Sequence, residues 1–134
     1  MTKNAIPVLL SFLAASCATP APGDRVPRIS PREVQEGVER RGALLVCAYR
    51  AEKCPGTHLV GAISLEELEA RLPALAPDQE IILFCGCPHE LAAAGRAVEI
   101  EAKGFHNVGV VSGGLLAWIL DGYEVTSTRK EQAR

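Results

Sequence analysis

Three short runs of consecutive apolar residues constrain this chain more than any other feature. Residues 43–46 read Ala-Leu-Leu-Val, residues 81–84 read Ile-Ile-Leu-Phe, and residues 108–111 read Val-Gly-Val-Val. Each has strand length, and none alternates apolar with polar, so each reads as a strand buried on both faces. Between them lie stretches of helical spacing, with Leu65, Leu68, Leu72 and Leu75 as one example. Strands apolar on both sides, alternating with helices, argue for an α/β fold whose parallel sheet is covered on both faces. Ligands in such sheets bind at the carboxyl ends of the strands. Cys47 and Cys85 stand at two of those ends.

The helix signals agree. Ser30, Pro31 and Glu33 form an N-cap, a first-turn proline and a capping-box acid, and Val34 and Val38 give that helix an apolar side before Gly42 stops it. A brief strand is expected at Ala62-Ile63, and Ser64 caps the next helix. The longest helix is expected over residues 88–103 with Gly104 as its stop, and the last over residues 115–120, stopped by Gly122. The tail from Thr126 is polar and reads as frayed.

The 134 residues suffice for one domain, and 48% apolar content suffices for a packed core. Aromatics at 4% leave little for stacking on bases, and a net charge of −2 leaves no electrostatic footprint for nucleic acid.

The amino-terminal stretch reads as a targeting segment. Lys3 is a thin positive region, and residues 6–15 are an apolar run too short to cross a bilayer. It ends in Leu13-Ala14-Ala15-Ser16-Cys17, which resembles the lipobox of bacterial lipoproteins, with leucine one place early. The alternative is a plain signal peptide. The resemblance implies a signal peptide over 1–16 and a lipidated Cys17. A Pro-rich extended tether would follow over 17–27, then a domain over 28–126 and a polar tail over 127–134. Several acyl chains would hold the protein stably on a bacterial envelope membrane. By analogy, Ala18 after Cys17 points to the outer membrane or periplasmic face. That compartment permits disulfides.

The chemistry centres on the strand at 81–84, which runs into Cys85-Gly86-Cys87-Pro88-His89-Glu90 and then a helix. Backbone N–H groups and the helix dipole at such a turn favour an anion, and the thiolate is the reactive form of cysteine. Glu90, expected near the third helical position, suits the dipole but offsets part of its pull on the thiolate. The spacing is not that of a Cys-x-x-Cys zinc knuckle, although Cys-x-Cys suits a soft ion such as Cu(I) or Zn.

From about Ile29 to Val125 the chain resembles a rhodanese domain. The matching pieces are Ser30-Pro31, Thr57-His58-Leu59-Val60-Gly61-Ala62-Ile63, Leu83-Phe84-Cys85 and Gly104-Phe105-His106-Asn107-Val108. They continue in Gly113-Gly114-Leu115-Leu116-Ala117-Trp118 and Gly122-Tyr123-Glu124-Val125. The resemblance implies a central parallel sheet of about five strands with helices on both faces. It also implies a persulfide on Cys85, whose outer sulfur passes to an acceptor thiol or cyanide. The usual loop is Cys-x-x-Gly-x-Arg-Ser; here Pro88, Glu90 and Leu91 hold the glycine, arginine and serine places. The loop is similar to a Cys-x-Cys-Pro-x-Glu subset. Swapping the arginine for Glu90, at about 5 Å and intermediate dielectric, costs a dianionic donor several kcal/mol. Thiosulfate is thus expected to be a poor donor, and Glu90→Arg to raise activity. The family's Asp-x-Arg after the second strand is absent, with Cys47 and Tyr49 in its place. A phosphatase would need Cys-x5-Arg, and Leu91 holds that arginine place.

Cys85 is the expected nucleophile, against a vestigial core thiol. Cys87 and Cys47 are candidate resolving thiols, with Cys47 favoured because the resemblance makes the second and fourth strands neighbours. Cys54 offers Cys47 an alternative partner in a loop staple. His89 is a candidate acid/base, and Gly86, Cys87, Pro88, His89, Glu90 and Leu91 form the binding loop. His58 reads as structural and Trp118 as core. The expected function is sulfur transfer or thiol redox chemistry on a small thiol, a sulfur donor or a protein thiol, by a monomer without cofactor or metal. The other readings are an inactive binding module with the same fold and a soft-metal (Cu/Zn) binder.

Overall fold

The structure is a computed structural model and describes residues 18–50, 57–86 and 89–127. Cys17, Cys54, Cys87 and Pro88 therefore lie outside the described residues, with the whole expected signal peptide.

Four strands form a parallel sheet in the order β1 (Arg28–Ile29), β5 (Val108–Val111), β4 (Ile81–Phe84), β2 (Leu44–Cys47). The expected α/β architecture is present. All four residues of β4 and of β5 are buried, as their continuous apolar runs require. The pleat divides them between two cores. Ile81 and Leu83 face one core with Leu65 and Leu68 of α2 (Leu65–Arg71) and Ala93, Ala97 and Ile100 of α3 (Leu91–Glu101). Ile82 and Phe84 face the other with Val34 of α1 (Pro31–Arg40) and Trp118 of α4 (Gly114–Leu120). Each fully buried Leu, Ile or Phe contributes about 1.5–3 kcal/mol.

The fifth strand is a single residue. Ile63 makes a parallel bridge to Val46, accepting from Cys47 N at 3.1 Å and donating to Leu45 O at 2.8 Å. Gly61, at φ 82°, and the N-cap Ser64 bracket it and leave no room for more.

The capping box on α1 forms as expected: Ser30 Oγ accepts from Glu33 N, and Glu33 Oε2 accepts from Ser30 N at 3.1 Å. Three boundaries differ from expectation. The tail does not fray at Thr126, because β6 (Val125–Ser127) pairs antiparallel with β3 (Thr57–Leu59), His58 opposite Thr126. The Pro-rich stretch is not extended throughout: Pro22–Arg25 forms a 3₁₀ turn against α3, and Val26 is buried. Finally, α3 starts at Leu91 rather than Pro88, because Glu90 is its N-cap in a left-handed conformation at φ 52°.

Candidate active site

Cys85 follows the last residue of β4 in the middle of the sheet, and its carbonyl accepts from Leu115 N at 3.1 Å in the first turn of α4. Its side chain is wholly buried among Val46, Ala48, Ala93 and Ala97, and it is a reduced thiol. Cys85 thus stands at a carboxyl strand end between the starts of two helices, where ligand sites of open α/β sheets are built.

Cys47 is not placed to resolve it. Register pairs Cys47 with Phe84, one residue before Cys85. Directly paired residues point to the same face and the next residue to the opposite one. Cys47 accordingly packs with Leu45, Phe84 and Trp118, while Cys85 packs on the other face. Cys47 is in a disulfide and Cys85 is not, so the expected Cys47–Cys85 bridge is absent. Neighbouring strands brought the two backbones together as anticipated. The one-residue offset in register turned the side chains apart.

Glu90 also differs from expectation. It is not in the third helical position, and its side chain does not cap α3. Its Oε1 accepts from Gly113 N at 2.5 Å, at the start of α4, and its Oε2 lies 4.0 Å from Arg28 Nε. The carboxylate braces the loop between two helix starts. Arg28 extends the brace, because its Nη1 donates to the carbonyls of Gly23 and Val26 at 2.6 Å each. Arg28 carries no signal for this role in the sequence, and Gly113 shows there only as part of a matching piece, because both lie far from residue 90 in the chain.

Gly86 and His89 are exposed, and Leu91 is 74% exposed at the rim. Beside it a groove of about 560 Å³ opens between Ala48, Tyr49 and Arg50 on one side and Leu91, Ala92, Gly95, Arg96 and Glu99 on the other. Arg96 Nε donates to Ala48 O at 3.4 Å, and its Nη1 lies 2.7 Å from Glu99. Arg50 pairs with Glu69 at 3.3 Å and Glu66 at 3.6 Å. Cations do stand near this end, but on α3 and after β2 rather than in the loop. Trp118 is core as expected, its Nε1 donating to Glu124 O at 2.8 Å. Among the described residues, no three of His, Cys, Asp and Glu cluster so as to hold a metal ion, and no helix is long and apolar enough to cross a membrane.

Among solved structures, a rhodanese-like domain of an Anabaena protein superimposes with a TM-score of 0.65 at 16% identity, over 79% of this chain and 83% of that one. A protein of Bacillus halodurans does so with 0.63 at 24% identity, over 75% and 77%. A thiosulfate sulfurtransferase of Pseudomonas aeruginosa does so with 0.62 at 20% identity, over 78% of this chain but only 21% of that enzyme. Identities this low speak to the fold alone. No curated protein matches. The family model of the rhodanese-like domain matches residues 31–121, a span running from the first turn of α1 to the end of α4 and including Cys85, and the chain belongs to the rhodanese-like domain family.

Proposed function

We propose that this protein is a lipid-anchored envelope member of its family that carries sulfane sulfur on Cys85 and passes it to a thiol. The observation that carries the reading is the setting of Cys85: a reduced thiol ending the central strand, beside a loop braced by Glu90. In the forward step the Cys85 thiolate attacks the outer sulfur of a donor persulfide. The Cys85 S–S bond forms, the donor S–S bond breaks, and the donor leaves as a thiolate. His89, exposed on the loop, is the candidate proton donor to it. An acceptor thiolate then attacks the outer sulfur and returns Cys85 to a thiolate. Burial shelters the persulfide from oxidants, which attack exposed thiolates fastest.

Cys87 is the assisting thiol in this reading. Cys47 is left out of the chemistry, because it is already in a disulfide on the opposite face. Cys54 is the partner we propose for it, in the loop staple that the sequence offers.

The test is sulfur transfer from a persulfide donor to a small thiol, comparing Cys85→Ala with Cys87→Ala. Loss of transfer in Cys85→Ala and weaker transfer in Cys87→Ala are expected. Undiminished transfer in Cys85→Ala would end the proposal. The complete burial of Cys85 favours one other reading, a binding module that keeps the fold without catalysis. Absence of transfer in the unsubstituted protein with every donor tried would favour it.

A further inference from the structure

The amino-terminal segment leaves the domain at the same end as Cys85. Pro22–Arg25 packs on α3, where a Cβ added to Gly23 would lie 3.4 Å from that of Ala94, in the first turns of the helix. Arg28 ties this turn to the loop, donating to Gly23 O and Val26 O while its Nε stands 4.0 Å from Glu90. Residues 18–21 are the only described ones ahead of this docked turn, and all four are exposed. From Cys17 to Pro22 there are five residue steps, which span at most about 18 Å when fully extended. A 100-residue domain has a radius of gyration of about 13 Å, so this reach is shorter than the domain is wide.

We infer that the active-site end of the domain faces the bilayer, with the exposed Leu91 at the loop rim as a point of contact with lipid. The inference rests on the lipid-anchor reading of Cys17 and adds an orientation to it. The occupant of this face is the lipid surface itself. A domain tied by a long flexible tether would sample all orientations; here the docked turn removes most of the slack. The groove lined by Tyr49, Leu91 and Arg96 lies at the same end, so acceptors would be met at the membrane surface rather than in bulk solvent.

The experiment uses the full lipidated chain in phosphatidylethanolamine–phosphatidylglycerol vesicles, with photoreactive benzoylphenylalanine in place of Leu91 or of His106. His106 is exposed just ahead of β5, at the opposite, amino end of the strands. Lipid adducts are expected at position 91 and not at 106. Inserting about 20 Gly/Ser residues after Thr19 adds roughly 25 Å of r.m.s. span. It should abolish the adduct at 91 while the protein still sediments with vesicles. Equal adducts at both positions, adducts at 106 alone, none at either, or an adduct at 91 that survives the longer tether would each overturn the inference. A chain that fails to sediment at all would instead refute the Cys17 anchor, and the orientation with it.

Discussion

Removing the Glu90 side chain should loosen the loop next to Cys85 by an amount that separates two physical contributions. Among the described residues, glycines apart, Glu90 alone has a positive φ, at 52°. A left-handed conformation costs a residue with a Cβ about 1–2 kcal/mol. What holds it is the carboxylate, whose side chain is only 15% exposed and accepts from Gly113 N at 2.5 Å. A hydrogen bond to a charged group contributes about 1.5–3 kcal/mol. The partly exposed Arg28 at 4.0 Å adds less than about 1 kcal/mol. Glu90→Ala loses the bond and keeps the backbone strain, so it should cost about 2–3 kcal/mol. Glu90→Gly loses the same bond but relieves the strain, and should be about 1 kcal/mol more stable than the alanine variant. Urea unfolding of both variants and the parent measures both. A glycine variant less stable than the alanine variant would refute the backbone argument. An alanine variant within about 0.5 kcal/mol of the parent would refute the brace.

Other expectations follow from the same geometry. Thiosulfate:cyanide turnover should be weak, and turnover matching enzymes with an arginine loop would contradict this. Glu90→Arg would set a second guanidinium against Arg28 and take the carboxylate from Gly113 N, so stability should fall, and that loss should offset the gain in turnover expected from the restored charge. Gly109→Ala should destabilise by about 1–3 kcal/mol, since the new Cβ would lie 2.5 Å from Ile29 Cδ1 and 3.3 Å from Pro27 O; an unchanged melting temperature would show that β1 gives way freely. Hydrogen bonds from the Ser30 hydroxyl, then from the Ser30 N–H, hold the Glu33 carboxyl below its ordinary range. A depressed folded-state pKa gives stability that is full above the unfolded value and lost as pH falls through the folded one. Ser30→Ala should therefore flatten the acid side of the stability–pH curve, and an identical curve would count against the capping box.

The sheet was legible in the sequence because β2, β4 and β5 are buried on both faces and read as unbroken apolar runs. Ser30 and Ser64 announced two helices through local chemistry, which sequence records directly. The β3–β6 ribbon was missed because three-residue strands carry no period, and Thr126 and Ser127 look like any polar tail. Cys47 and Cys85 were rightly placed on adjoining strand ends, but their side-chain directions depend on a register that no residue type declares. Glu90 was legible as a departure from the usual loop. Its partners Gly113 and Arg28 were not, since the contacts exist only once α4 and the docked amino-terminal turn are in place.

The most direct test of the central claim is a site-resolved inventory of sulfur on all five cysteines. The protein would be purified without reductant, loaded with a persulfide donor, alkylated and mapped as peptides by mass. The account predicts one additional sulfur atom on the Cys85 peptide, with Cys47 in a disulfide to a cysteine other than Cys85. An unmodified Cys85 with the sulfur carried elsewhere, or a Cys47–Cys85 cross-link in the folded protein, would contradict it.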